Sequence, residues 1–360
     1  MSQNAAPEKW RELYAAAQTL EQMKPWLYFK KTQLIAVQFP DREEPVFCSI
    51  LGENGEEPGF SLYQGWDSLF DVGRLTAPRL SDAYSRYLLF DHNSLTCRRR
   101  ARTTLARPMW QFLCDLGLET EEQETSLSFV SYRKAFMPCL PDATETEQMI
   151  RSCRAVISAI QSFTQQNISI DWEEGQVLWH GYHTLRGQWD TFASAIPDPR
   201  RPYPPLRLEN DLLRKRLQKA PCNDRVLLID FFYLETPIDS KQFPRPLNPH
   251  LLLVFDNAEK TLVYRSMLLP DEKESGALAG FFVKYVLTRG RMARILARNP
   301  LVFSALSDTC RYCNIDLTAD PLPFLDEIAA KLTAPNQNFR KNIQEEITIK
   351  NTREKRTTEK

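Results

Sequence analysis

The sequence predicts two units of different class: an α+β unit over 1–195 and an α/β unit, a mixed sheet with flanking helices, over 209–334. Three observations predict this. At 360 residues the chain is long enough for two cores, since a domain takes about 150 residues. Between them, Ile196-Pro-Asp-Pro-Arg-Arg-Pro-Tyr-Pro-Pro205 places five prolines in ten residues, which neither a ladder nor a helix interior sustains, so 196–208 is expected to be a linker. Beyond it the apolar runs settle into three strands followed by alternating helices and strands. The stretch 335–360 is polar and mildly basic and is expected to be disordered.

Apolar residues make up 42% of the chain and charged residues 26%, with 46 basic against 46 acidic side chains. That balance excludes a chain-wide polycation for nucleic acid and an acidic solvating chain. Residues 1–10 are polar and lack the apolar centre of a signal peptide. No stretch reaches the roughly 18 apolar residues of a membrane helix, so a cytoplasmic protein without a membrane partner is expected. Eight cysteines are scattered singly apart from Cys310-Arg-Tyr-Cys313. Scattered cysteines without a secretory signal are expected to be buried free thiols. One Cys-x-x-Cys supplies two of the four ligands zinc needs, and nothing in the sequence brings His180-Gly-Tyr-His183 to it, so no metal is expected there.

In the first unit, Trp10, Leu13, Tyr14, Ala17 and Leu20 recur at helical spacing over 7–23, and Pro25 stops that helix. Strands are predicted at 33–39, 45–51 and 59–63, with Asn54-Gly55 turning between the last two because both positions accept positive φ. A short helix is predicted at 66–72, a strand at 87–90, a helix at 103–116 and a strand at 127–132. A long helix over 144–163 is expected to open on a capping box of Thr144 and Glu147. The aromatic run 177–192 is expected to form strand.

In the second unit, strands are predicted at 226–234, 250–255 and 261–268, with 256–260 as a hairpin turn between the last two. A helix over 274–287, ending at Gly290, and a strand at 294–298 follow. Asn299-Pro300 then opens a helix, with Asn as the cap and Pro where no backbone donor is missed. Val302, Leu306, Thr309 and Cys313 share its inner face, and Asn314 suits a left-handed stop. A strand at 315–317 and a helix at 324–332 complete the unit. Strand, strand, strand, helix, strand, helix, strand, helix is the order of the ribonuclease-H-like fold.

Active enzymes of that fold hold two divalent metals with carboxylates from the middle of the first strand, the end of the fourth and a late helix. Only anionic oxygens hold two such cations close together. Asp230 lies mid-strand in the first, and Asp326 and Glu327 lie on the last helix. The end of the fourth strand is Asn299, an amide with the shape of an acid and none of its charge, already explained as a helix cap. The set Asp230, Asn299, Asp326 and Glu327 is therefore incomplete for two metals. No cofactor is expected, and magnesium or manganese enters only under the alternative of a divergent nuclease. There is no Walker loop, GxGxxG after a strand, GxSxG or HExxH. His180 and His183, three apart, face opposite ways in a strand.

Two stretches are rich in cations and free of acids in sequence: Arg98, Arg99, Arg100, Arg102 and Arg107, and then Lys284, Arg289, Arg291, Arg294 and Arg298. Such clusters neutralise phosphates or meet an acidic protein surface.

The chain also resembles an uncharacterised bacterial family of two-domain proteins known only as domains of unknown function. The resemblance rests on Pro25-Trp26, Ile35-Ala-Val37, Cys48-Ser-Ile-Leu-Gly52 and Leu62-Tyr63-Gln-Gly65. In the second unit it rests on Leu228-Ile-Asp-Phe-Phe-Tyr-Leu234, 251–256, Gly290-Arg291 and Asn314-Ile315-Asp-Leu317. It implies no activity. Members of that family tend to carry an acid where this chain has Asn299 and a proline near Met292, which places this chain further from a carboxylate site. The expectation is a non-catalytic protein that works through an unidentified protein partner. The alternatives are the metal-dependent nuclease and a nucleic-acid binder using the arginine clusters.

Overall fold

The computed structural model describes residues 5–77, 81–120, 122–196, 203, 205 and 207–333. Most of the proline-rich stretch 196–208 and all of the tail 335–360 lie outside the described residues. Contacts divide the chain into two units. The second takes in, besides the region after Tyr203, the short segments Arg79–Tyr87 and Ala135–Met137.

The first unit opens with α1 (Pro7–Gln22), β1 (Ile35–Gln38), β2 (Val46–Leu51), β3 (Gly59–Gln64) and α2 (Ser68–Thr76). After α3 (Asp82–Phe90), whose first six residues group with the second unit, come β4 (Ser94–Ala101), α4 (Arg107–Asp115) and β5 (Thr125–Tyr132). It closes with α5 (Ala143–Gln166), β6 (Gln176–His183) and β7 (Gln188–Ala195). The seven strands form one sheet in the order β5-β4-β3-β2-β1-β6-β7, antiparallel throughout except where β1 meets β6. Trp10, Leu13 and Leu20 of α1 and Met149, Cys153, Val156 and Ile160 of α5 bury one face over Cys48, Ile50, Leu62 and Phe129. Leu69 and Val72 of α2 cover Phe47, Tyr63 and Val177 on the other. Asn54 and Gly55 both adopt positive φ between β2 and β3, as a tight connection requires.

The local sequence misleads at three places. Residues 87–90 end a helix rather than forming a strand: Tyr84 and Tyr87, three apart, are its buried side, a helical spacing that a four-residue window misses. The arginine-rich run 94–101, read above for its charge, is a strand, because Leu95 and Cys97 alternate into the core while Thr96 and Arg98 face the other way. The capping box of α5 is Asp142 with Glu145, two residues earlier than Thr144 with Glu147.

The second unit comprises α6 (Asp211–Lys219), β8 (Val226–Tyr233), β9 (His250–Asp256), β10 (Leu262–Leu268) and α7 (Glu274–Arg289). These are followed by β11 (Arg294–Ala297), α8 (Pro300–Tyr312), β12 (Asp316–Ala319) and α9 (Pro323–Thr333). The sheet order is β10-β9-β8-β11-β12; β8, β9 and β10 form an antiparallel meander, and β11 and β12 run parallel to β8. This is the ribonuclease-H-like strand order. β8 is buried along nearly its whole length, so its sequence Val-Leu-Leu-Ile-Asp-Phe-Phe-Tyr reads as a continuous apolar run with one charge inside it. Leu228 and Phe232 pack with Leu325 and Ala329 of α9, so residues on that face of β8 look towards α9. No helix among the described residues is long and apolar enough to cross a membrane.

Candidate functional site

Asp230 sits between Leu228 and Phe232 and shares their face, which makes it a carboxylate inside a strand that is otherwise core. Its side chain is 1% exposed. β11 pairs with β8 in parallel, with Arg294 opposite Val226 and Ala297 opposite Ile229, so the next step brings residue 298 level with Asp230. Arg298 takes that place. Its Nε donates to Asp230 Oδ2 at 2.6 Å, and its Nη1 donates to Ser81 Oγ at 2.9 Å and to the Pro321 carbonyl at 3.0 Å. The same Nη1 lies 2.6 Å from Asp326 Oδ1 on α9, an ion pair off the hydrogen-bonding axis. The guanidinium is 2% exposed and lies over the Tyr84 ring, 5.3 Å from its centroid.

Burial pushes Asp230 up to about 6, against the pull of Arg298, which favours the anion. Asp230 Oδ1 has no partner in hydrogen-bonding geometry among the described residues, although the Phe231 N–H is near enough to favour the charge. Asp326 is the more open end of the trio, with its side chain 23% exposed. It lines a cleft of about 340 Å³ with Asp82, Arg86, Tyr87, Phe232 and Glu235. Glu327 is exposed on the same helix.

Asn299, the residue expected at this corner, is elsewhere. It is fully buried, and its Oδ1 accepts from the Leu301 N–H at 3.0 Å as the cap of α8. The physical reason is strand alternation. Residue 298 is level with Asp230 and on its face, so the next residue turns to α8. Of the four candidates the structure therefore joins Asp230 and Asp326 through Arg298, a member of the second basic run, and leaves Asn299 and Glu327 apart. Pairing register was the signal that could have found it: Leu296 packs on the same side as Leu228, and 298 follows 296 by one strand period.

Two divalent cations do not fit these residues. The space that two carboxylates would offer them holds a guanidinium, whose positive charge repels a metal ion and whose Nε already donates to Asp230 Oδ2. Among the described residues no group of three or more His, Cys, Asp or Glu side chains is placed to hold a metal. Cys310 and Cys313 are buried thiols, and burial pushes Cys310 up to about 12, far from the thiolate that zinc needs.

The basic runs lose their acid-free character in three dimensions. Arg99 makes a bidentate pair with Glu21, Arg100 pairs with Glu57 at 2.9 Å, and Arg102 lies over Trp110. Arg291 donates to the Ala220 and Cys313 carbonyls, and Arg294 pairs with Asp316 at 2.6 Å. Arg98, half-buried on β4, follows Cys97 opposite Gly59. The acids come from distant sequence, so a reading of local charge could not see them.

The histidines serve packing. His180 is buried, its Nδ1 2.8 Å from Thr191 Oγ1 and its ring stacked on Trp189 at 4.6 Å. Burial pushes it down to about 4. His183 is exposed on the other side of β6. His92 is buried, likewise pushed down to about 4, and hydrogen-bonded between the Leu88 carbonyl and Ser94 Oγ. His250 stacks on Tyr233 at 4.5 Å.

Residues 10–180 match the family model described as a domain of unknown function, DUF7309, and residues 213–333 match a second domain of unknown function, DUF6930. No curated protein matches the chain. Among solved structures, a simian T-cell lymphotropic virus intasome in complex with PP2A regulatory subunit B56 gamma is similar at 15% identity, with a TM-score of 0.23. The match covers 32% of this chain and 42% of that one, less than half its length. The HTLV-2 integrase catalytic core domain in complex with magnesium, in its trimeric form, is similar at 13% identity over 35% of this chain and 84% of that one, with a TM-score of 0.23. The dimeric form gives 12% identity over 31% and 70%, with a TM-score of 0.22. The strand order described above, not these scores, carries the fold assignment.

Proposed function

We propose that this chain is a non-catalytic interaction or regulatory protein whose ribonuclease-H-like unit has lost phosphodiester chemistry. One observation carries the proposal: Arg298 lies between Asp230 and Asp326, where an enzyme of this fold would need metal. A catalytic pair of cations stabilises the attacking and leaving oxygens of the phosphodiester. A buried guanidinium hydrogen-bonded to Asp230 and ion-paired with Asp326 sets a positive charge where such a cation would have to sit. Surface chemistry in the first unit supports a protein partner. The β6–β7 hairpin, at the end of its sheet, presents Leu185 at its turn and, on opposite faces of β7, Trp189 and Phe192, with Phe192 48% exposed, and aromatic side chains of this kind anchor interfaces.

The test is a cleavage assay on single- and double-stranded DNA and RNA with magnesium and with manganese. The expected result is a rate equal to that of Asp230→Ala. Manganese-dependent cleavage that disappears in Asp230→Ala would establish the nuclease instead. For the partner, a cell extract is passed over wild-type protein and over Trp189→Ser/Phe192→Ser. A protein retained by the first and lost by the second, at equal thermal stability of the two, is expected.

A further inference from the structure

We propose that the groove between segment 25–30 and loop 52–58 of the first unit binds a proline-rich segment of a partner protein in the polyproline II conformation, with an arginine of that segment meeting Glu53. The groove measures about 730 Å³ and lies wholly within the first unit, so the proposal does not depend on the assignment made for Asp230 and Arg298. The sequence explains its walls. Pro25, buried, opens a single 3-10 turn, Pro25–Leu27, and Phe29 is buried against Phe163 and Trp172. Between these two anchors Leu27 and Tyr28 are left 69% and 52% exposed, an adjacent apolar pair that the core of this unit does not use. On the other wall Gly52 has φ +114°, and an added Cβ there would stand 2.9 Å from Pro58 Cα and 3.4 Å from Trp26 Cγ. Trp26 and Pro58 are therefore held against the same point of backbone, and the groove is formed before any ligand arrives.

The polar groups of the groove select the ligand. Among the described residues the Trp26 indole N–H, the Tyr28 hydroxyl and the Lys30 ammonium have no acceptor, and Gln33 engages only its Oε1, which accepts from the Lys30 N–H at 2.8 Å. The walls thus offer aromatic and pyrrolidine surface together with unanswered donors. A proline-rich segment has the complementary chemistry: its prolines carry no N–H, its carbonyls make no internal hydrogen bonds, and its preformed helix docks on aromatic-lined grooves at little cost in ordering. The loop adds carboxylates. Glu56 lies 3.8 Å from Lys31, whereas Glu53 has no cationic partner among the described residues. A guanidinium on the ligand supplies one.

The experiment titrates a panel of synthetic peptides into the full chain by isothermal titration calorimetry. Each contains Pro-x-x-Pro, with the x positions varied among apolar residues and an arginine before or after the motif. At least one is expected to bind wild type, and the same peptide with alanine in place of its prolines is expected to bind about tenfold more weakly or worse. Tyr28→Ala is expected to weaken the proline peptide by about tenfold or more. Glu53→Gln is expected to weaken it as well, and to leave unchanged the binding of the peptide that carries glutamine for arginine. Leu185→Ser, which removes an exposed apolar side chain elsewhere on the unit, is expected to bind like wild type. Failure of every peptide to bind wild type overturns the proposal. So does equal binding of the alanine peptide, which would make the groove a site for another kind of segment, and so does unchanged binding by Tyr28→Ala. If Tyr28→Ala does not fold, Glu53→Gln decides in its place: selective loss of the arginine peptide supports the proposal, and no loss overturns it. Cleavage of nucleic acid by wild type would instead sink the non-catalytic assignment and leave this groove as it is, so the two failures are distinguishable.

Discussion

A carboxylate in the middle of a core strand is costly unless something charged meets it, and at Asp230 that partner is Arg298. The pair is not a bonus of stability. Burial still outweighs the attraction and pushes Asp230 up to about 6. The folded chain therefore holds the Asp230 proton more tightly than the unfolded chain, whose carboxylate has its ordinary value. That contribution is fully present below the ordinary value and is lost as pH rises through about 6. Compared with Asp230→Asn, which does not titrate, wild type is expected to lose stability between about pH 4 and 6 and to run parallel above about pH 7. The full loss is about 3 kcal/mol, an upper figure for this shift. Urea midpoints of the two proteins from pH 4 to 8 measure it, and a difference that stays flat across this window would contradict the account.

At the scale of the element, one strand and one helix divide the work between adjacent residues. β11 delivers Arg298 to Asp230 by register, and α8 takes Asn299 as its cap immediately afterwards. Asn299→Ala is expected to cost about 1 kcal/mol, the usual loss when an N-cap side chain is removed. Asn299→Asp is expected to keep the cap and to sit well at the positive end of the helix. It should nevertheless create no Mn²⁺ response, because its acceptor is engaged by the Leu301 N–H rather than turned to Asp230. Thermal melts with and without Mn²⁺ check both. The same division explains what was legible here. Asn299-Pro300 announces a helix start from sequence alone because capping is a local bond. That Arg298 completes the site is a property of pairing between strands nearly 70 positions apart in the chain, and the local run of arginines conceals it.

For the molecule as a whole, charge is balanced in composition, and within the basic runs Arg99, Arg100, Arg291, Arg294 and Arg298 meet acids or carbonyls. A binder making 6–10 phosphate contacts would lose about 10³–10⁵ in affinity between 50 and 200 mM salt. The expectation here is little binding to a fluorescent duplex at either salt concentration and no steep slope between them, measured by anisotropy. Tight binding at low salt that collapses over this range would return the arginine clusters to a functional role. The partners of Arg99 and Arg100 are Glu21, in α1, and Glu57, before β3, both far away in sequence, which is why the charge pattern read along the chain overstated a basic surface.

The sequence by itself determined the class of both units, the three-strand meander and the strand–helix alternation after it, because side-chain periodicity, turn residues and caps are short-range signals. It also raised, through Asn299, the expectation that the acids of a metal pair are incomplete. Only the tertiary structure decided what stands in the missing place, that 87–90 is helix and 94–101 strand, and that α5 opens on Asp142 rather than Thr144. Each of those depends on which face meets a core or which residues lie level across a sheet. Such choices are energetic contests between distant segments, and local propensity does not carry their outcome.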